Sequence, residues 1–278
     1  MKIRYILGLI LFLLVAPLSA QQVKSVIPYR MVGGKMLVDM NVNGQVRSFI
    51  FDTGGQTALT GELCEELNIA VVDSVNVTDV NGKEIGLPRV AINSLLTPDE
   101  RINFSGVPAM KLATPSPFEC FHADGLIGSD LFKNLIIEID SKTKTITVCS
   151  AEKASVVSLR KMLPFSGKGF MPIITLQAGM GNNLVVLFDT GCPSFLSLKD
   201  TDYENLFSSG AFQVMSEGLG GGSIGVGGMA ETGISYRVKF PLLSIGSTKF
   251  KQVTTETFTP PYTLLGVKLL EYGKVTID

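Results

Sequence analysis

Ser48-Phe49-Ile50-Phe51-Asp52-Thr53-Gly54 and Leu184-Val185-Val186-Leu187-Phe188-Asp189-Thr190-Gly191 are two versions of one design. In each, a strand-like apolar run ends on Asp-Thr-Gly. Two carboxylates presented alike by two similar segments suggest a pair built by duplication. A carboxylate pair that shares one proton can serve as base and acid toward a single water.

Other landmarks repeat at nearly the same distance. Ile27-Pro28-Tyr29 answers to Leu163-Pro164-Phe165, an offset of 164 − 28 = 136, and the triplets are offset by 189 − 52 = 137. Leu126-Ile127-Gly128 answers to Leu264-Leu265-Gly266, and Ile137-Glu138-Ile139-Asp140 to Val275-Thr276-Ile277-Asp278, both at 266 − 128 = 278 − 140 = 138. Chance can supply a second Asp-Thr-Gly, but not the ordered series. The period is too long for a solenoid, so the repeating unit is a whole lobe.

Residues 1–20 read as a signal peptide: Lys2 and Arg4 form a basic start, Ile6 to Val15 an apolar core, and Leu18-Ser19-Ala20 a cleavage site before Gln21. An uncleaved anchor is the alternative, although the apolar core is short for a span. No later segment is long enough to cross a bilayer. Loss of the leader would take the charge from 24 − 25 = −1 to 22 − 25 = −3, which leaves no electrostatic footprint for nucleic acid.

His122 is the single histidine, so histidine-rich zinc sites are excluded, and any Ser-His-Asp or Cys-His system would have to run through it. It reads as a surface or strand-end residue beside Asp124-Gly125. Cys64, Cys120, Cys149 and Cys192 form no C-x-x-C pair. Export permits disulfides, with three full connectivities open; Cys120 with Cys149 is conceivable, and buried free thiols are the alternative.

The chain reads as strand-rich. Met36 to Val42 is a strand turned by Asn43-Gly44 into the strand that reaches Asp52. Met171 to Leu176 and the run into Asp189 repeat this. Val75 to Val80 and Lys83 to Leu87 read as a hairpin turned by Asn81-Gly82. Thr60 to Leu67 reads as a short helix capped by Thr60. Ser150 to Ser158 is polar enough to link two lobes. Gly220-x-Gly222-x-x-Gly225 formally matches a dinucleotide loop, but lacks a surrounding β-α-β unit; glycines of a mobile hairpin near a substrate fit better.

On these residues the chain resembles the two-lobed aspartic proteases, the pepsin-like and retropepsin-like group. The matching marks are Phe51-Asp52-Thr53-Gly54, Phe188-Asp189-Thr190-Gly191, Gly125-Leu126-Ile127-Gly128 and Leu264-Leu265-Gly266. The Pro28 and Pro164 segments look like those of bacterial exported members. The resemblance implies an all-β fold: two homologous β-barrel-like lobes with short helices, residues 21–150 forming the N-terminal lobe and 151–278 the C-terminal lobe.

It also implies an aspartic endopeptidase with Asp52 and Asp189 catalytic. Thr53 and Thr190 would bond across a pseudo-twofold axis, and Gly54 and Gly191 would let backbone donate to the carboxylates. Asn81 and Gly82 would tip a flap over the substrate, and Gly218 to Gly228 has the corresponding spacing after Asp189. Such a protein needs no metal and no organic cofactor. Its partner is a peptide or protein substrate, it works as a monomer because one chain carries both halves, and it is exported, periplasmic or secreted, from a Gram-negative bacterium.

Two departures bear on this expectation. Gly55 and Cys192 follow the triplets where relatives usually carry Ser, Thr or Ala, and the Asn81 hairpin has no Tyr. The contrary class is a non-catalytic peptide-binding or scaffold protein that kept the fold.

Overall fold

The computed structural model describes residues 24–150, 162–166, 170–179, 181–220, 223–259 and 261–278. The leader, most of the linker and Gly222 lie outside the described residues.

The first half runs β1 (Lys24–Val32), β2 (Lys35–Val42), β3 (Gln45–Asp52), β4 (Ala58–Leu59), α1 (Gly61–Glu66), β5 (Val71–Thr78), β6 (Glu84–Leu96), β7 (Asn103–Lys111), β8 (Gly125–Gly128), β9 (Leu135–Asp140) and β10 (Thr145–Ser150). The second half runs β11 (Ile173–Ala178), β12 (Asn182–Asp189), β13 (Leu196–Lys199), α2 (Asp200–Phe207) and β14 (Gln213–Gly220). It continues with β15 (Ile224–Gly225), β16 (Gly228–Met229), β17 (Gly233–Ile245), β18 (Thr248–Phe258), β19 (Thr263–Gly266) and β20 (Val275–Ile277).

Among these residues the strands form an 11-stranded sheet in the order β20-β9-β10-β1-β2-β3-β8-β4-β7-β6-β5 and a 7-stranded sheet in the order β11-β12-β19-β13-β18-β17-β14. Each half thus builds a lobe, and the helices are short, as expected for an all-β, two-lobed chain.

The local chemistry explains the elements. β2 and β3 are antiparallel, with Val42 opposite Gln45. The intervening Asn43 and Gly44 take φ of 49° and 92°, the left-handed pair that a two-residue hairpin needs. Helix α1 starts where Thr60 accepts a 3.2 Å bond from the Leu63 N–H, which satisfies a donor that the first turn leaves open.

Phe49, Ile50 and Phe51 are all fully buried, so both faces of β3 are covered and its sequence shows no alternation. A buried apolar cluster includes Phe49, Phe51 and Ile127 of the first lobe and Leu176, Phe188 and Leu265 of the second. Full burial of one such side chain is worth about 1.5–3 kcal/mol.

The repeat is visible in the pairing. β3 runs parallel to β8, with Asp52 opposite Gly128. β12 runs parallel to β19, with Asp189 opposite Gly266. β9 and β20 pair with each other: Glu138 faces Thr276, flanked by Ile139 with Val275 and Ile137 with Ile277. Glu138 and Thr276 are repeat equivalents (276 − 138 = 138), so the pseudo-twofold axis passes between them. One consequence is that β20 adds to the first lobe's sheet.

Other expectations differ from what is found. Leu163-Pro164-Phe165, unlike its counterpart Ile27-Pro28-Tyr29 in β1, is not a strand; Phe165 is exposed, and the segment is tied by the Ser166 N–H to the Ile173 carbonyl. The Asn81-Gly82 turn is longer than a two-residue loop. Its strands end at Thr78 and Glu84 because Asp79 Oδ1 accepts from the N–H groups of Asn81 and Lys83 at 2.9 and 3.0 Å, which takes those residues out of the ladder. The four cysteines are free, so Cys120 and Cys149 are not joined. Cys149 lies in β10, opposite Lys24 of β1, while Cys120 is an exposed residue of the short 3₁₀ turn Glu119–Phe121. His122 ends that turn, exposed, with a left-handed φ of 51°.

Candidate active site

Asp52 and Asp189 stand at the C-terminal ends of β3 and β12, and the structure brings them together. The two carboxyls lie against the same glycines. A Cβ placed on Gly191 would lie 2.9 Å from Asp52 Cγ and 2.9 Å from Asp189 Oδ1, and one on Gly54 would lie 2.6 Å from Asp189 Cγ. Both triplet glycines are therefore required by the close approach of the carboxylates. That approach also lets their N–H groups donate: Gly54 N to Asp52 Oδ1 at 2.9 Å and Gly191 N to Asp189 Oδ1 at 2.7 Å.

The threonines between them lock the loops. Thr53 N donates to Thr190 Oγ1 at 3.0 Å, and Thr190 N donates to Thr53 Oγ1 at 3.0 Å. Each hydroxyl then donates onward into the other lobe, Thr53 to the Phe188 carbonyl at 2.7 Å and Thr190 to the Phe51 carbonyl at 2.8 Å. Both side chains are fully buried, so every polar group in this four-bond ring finds its partner inside the protein.

The two acids are not equivalent. Asp189 is buried and Asp52 is half-buried. Burial, and then the charge of Asp52, push the Asp189 carboxyl well above the usual carboxylate range. Lys35 and the Gly191 N–H oppose that rise.

The residues after the triplets have reasons of their own. A Cβ on Gly55 would fall 2.8 Å from Asp52 Oδ2, so the loop as built admits no side chain there. Cys192 is buried beside Ser197 Oγ at 3.5 Å. Burial first, then the Asp189 charge, push its thiol up to about 11, which leaves it a neutral packing group.

Two hairpins meet over the cleft. The tip holding Asn81 and Gly82 reaches across from the first lobe, and Val80 packs against Ile173, Leu187, Cys192 and Leu264 of the second. The β15–β16 hairpin reaches the other way, and Ile224 and Val226 pack against the first-lobe cluster of Leu37, Ile50, Leu87 and Leu126. Asn81 Nδ2 donates to the Gly228 carbonyl at 3.2 Å, and Ser223 Oγ donates to Asn81 Oδ1. Asp79 Oδ2 is buried without a partner. A Cβ on Gly225 or Gly227 would lie 2.7 or 2.9 Å from it, which accounts for glycine at both places. Gly220 ends β14, which runs antiparallel to β17 rather than in a β-α-β unit.

Sequence reasoning missed two contributors. Asp130 Oδ1 accepts from both N and Oγ1 of Thr57 at 2.9 and 2.8 Å, bracing the loop after Asp52; burial raises its carboxyl. Its position two residues after Gly128 was the available signal. Lys35, at the start of β2, donates to the Gly191 carbonyl; nothing near it in the sequence marks it.

No family model matches the chain, and no curated protein matches its sequence. Solved structures do. The chain is similar to the aspartic proteinase from Irpex lacteus, at 10% identity, over 92% of this chain and 94% of that one, with a TM-score of 0.51. It also aligns with a retropepsin-like aspartic protease from Rickettsia conorii (17% identity, 47% of this chain and 95% of that one, TM-score 0.33) and with basic 7S globulin from soybean (10% identity, 92% of each chain, TM-score 0.44). The likeness to the Irpex lacteus structure establishes the fold: this chain has the two-lobed architecture of the aspartic proteases.

Proposed function

We propose that the protein is an aspartic endopeptidase that hydrolyses peptide bonds through Asp52 and Asp189. The observation that carries this reading is the meeting of the two Asp-Thr-Gly loops, locked by Thr53 and Thr190, which sets the Asp52 and Asp189 carboxyls against the same glycines. Two acids so close do not both ionise easily.

In the proposed reaction a water sits on the pair. One acid of the pair, ionised, takes a proton from it. The other, protonated, polarises the substrate carbonyl. The hydroxide forms a bond to the carbonyl carbon as the carbonyl oxygen takes the proton of the second acid, giving a neutral gem-diol. The diol collapses as the C–N bond breaks: the leaving nitrogen takes the proton from the acid that deprotonated the water, and a diol hydroxyl returns its proton to the other acid. Neither metal nor organic cofactor enters these steps. The hairpins carrying Asn81 and Ser223 would exclude bulk water and order the peptide. The accompanying expectations, a monomer that acts on exported or periplasmic protein substrates after loss of residues 1–20, belong to the same proposal.

The test is exposure of a diverse peptide library to the purified protein, with a pepstatin-like inhibitor as control. Inhibitor-sensitive cleavage that is absent from the Asp52→Asn variant supports the reading. Stoichiometric peptide binding without cleavage at any pH from 3 to 8 would favour a peptide-binding protein instead.

A further inference from the structure

Lys35 places a cation between the two halves, on the loop that carries Asp189. It is half-buried at the start of β2, its ammonium donates to the carbonyl of Gly191, and the ring of Phe121 lies 5.8 Å from Nζ. The turn before it is pressed into the second lobe, since a Cβ on Gly34 would lie 2.9 Å from Pro193 Cβ. The side chain thus crosses from the first lobe to the second, and its ammonium sits between the Gly191 carbonyl and the Phe121 ring.

We propose that Lys35 is a positioning residue for the dyad: its ammonium, pinned on Gly191 and backed by Phe121, is the cation that fixes the pH range in which Asp52 and Asp189 hold one proton between them. The inference rests on the endopeptidase reading for its consequence in turnover, but not for the charge effect itself.

The physical basis is simple. Gly191 is two residues from Asp189, and its N–H is already bonded to that carboxylate. A positive charge fixed on the same residue stabilises the ionised pair, and low surrounding polarity makes it count for more than it would in water. The field of Lys35 indeed favours ionisation of Asp189, against the effect of burial. Other titratable groups around it are Asp52 and Cys192 on the two loops, Glu119, Cys120 and His122 on and beside the 3₁₀ turn that carries Phe121, and Tyr29 with the exposed Lys144, Lys268 and Glu271 about the pocket that Gly34 and Pro193 line. Glu119, Cys120 and His122 are exposed, so solvent screens them.

The sign follows. A cation that favours ionisation lowers both macroscopic titrations of the pair. Removing it moves both limbs of a bell-shaped profile toward higher pH.

The experiment compares wild type with Lys35→Gln, which keeps a donor for the Gly191 carbonyl and removes the charge, and with Lys35→Arg, which keeps the charge. Two readouts are taken: the pH profile of kcat/KM on a cleaved peptide, and the pH titration of aspartate side-chain carboxyls by 13C NMR, assigned through Asp52→Asn and Asp189→Asn. We expect Lys35→Gln to shift both limbs and both titrations upward by on the order of one pH unit, and Lys35→Arg to restore them. His122→Gln should leave the limbs in place. If Lys35→Gln fails to fold, Lys35→Met is read in its stead, and the direction of the Arg variant stands alone as the charge control. Carboxyl titrations that move while no peptide is cleaved would uphold the role of Lys35 and sink the endopeptidase reading. Titrations that coincide in wild type and the Gln variant, or an Arg variant that behaves like Gln, would overturn the inference.

Discussion

Thr53 and Thr190 hold each other by the same two atoms: the backbone N–H of each donates to the side-chain oxygen of the other, at 3.0 Å both ways. Since each hydroxyl also donates to the strand before the opposite aspartate, the separation of the carboxylates is fixed by the threonines rather than by the acids. Thr53→Ala would leave the buried Thr190 N–H and the Phe188 carbonyl without that partner. Each orphaned group costs about 1–3 kcal/mol, so a loss of roughly 2–6 kcal/mol in chemical unfolding is expected. Thr53→Ser keeps both bonds and should fall within about 1 kcal/mol of wild type. An equal loss in both variants would show that the methyl, not the hydroxyl, matters.

Asp52→Asn and Asp189→Asn should each lower kcat by roughly 10³-fold or more with the fold intact, because an amide cannot change protonation. The double variant should be little worse than either single one, since the pair works as a unit. Retention of most of the wild-type kcat in one single variant would contradict the paired mechanism.

Stability should reveal the raised Asp189 titration without any substrate. A carboxyl whose folded-state value lies above its unfolded one binds more protons when folded, so stability falls as pH rises from the ordinary carboxylate range through the folded value. Asp189→Asn removes that penalty. Its melting temperature should exceed that of wild type near neutral pH, by about 2–4 °C for each kcal/mol relieved, and the gap should close near pH 3. A gap independent of pH would mean that burial of the Asp189 charge is not what the variant relieves.

Asn81→Ala removes the bonds to Gly228 and Ser223 that join the two hairpins. Amides of residues 79–83 and 223–230 should exchange faster by about 5-fold, the equivalent of about 1 kcal/mol, while global melting is unchanged. Undiminished protection would mean that Val80, Ile224 and Val226 hold the roof by apolar packing alone.

Specific activity should not depend on enzyme concentration, because one chain supplies both loops. Activity lost on dilution in step with dissociation seen by sedimentation would require a second subunit.

The sequence made the centre of the molecule legible for a chemical reason. Asp, Thr and Gly at these positions each meet a demand that few residues satisfy, and the second copy at 137 residues removes the ambiguity of the first. The strands into Asp52 and Asp189, the Asn43-Gly44 turn and the Thr60 cap followed from equally local rules. The Asn81 turn was misread in length because its shape is set by the Asp79 side chain, which competes with the ladder for N–H groups. The hairpin crossing was not legible, since Asn81 and Ser223 are 142 residues apart and neither carries a motif. Lys35 was hidden for the same reason: its partner lies 156 residues away, and a lone lysine at a strand start reads as an ordinary surface charge.

The pairing of Glu138 with Thr276 sets an order of events during synthesis. While the chain is being made, β9 waits as a free sheet edge, and the first lobe's wall stays uncovered until residues 224 and 226 have emerged. Such long-range closures come late and slowly, and an open edge invites pairing with another chain. A nascent chain that lacks its second half thus carries one carboxylate without its partner and an open edge to which another chain can pair.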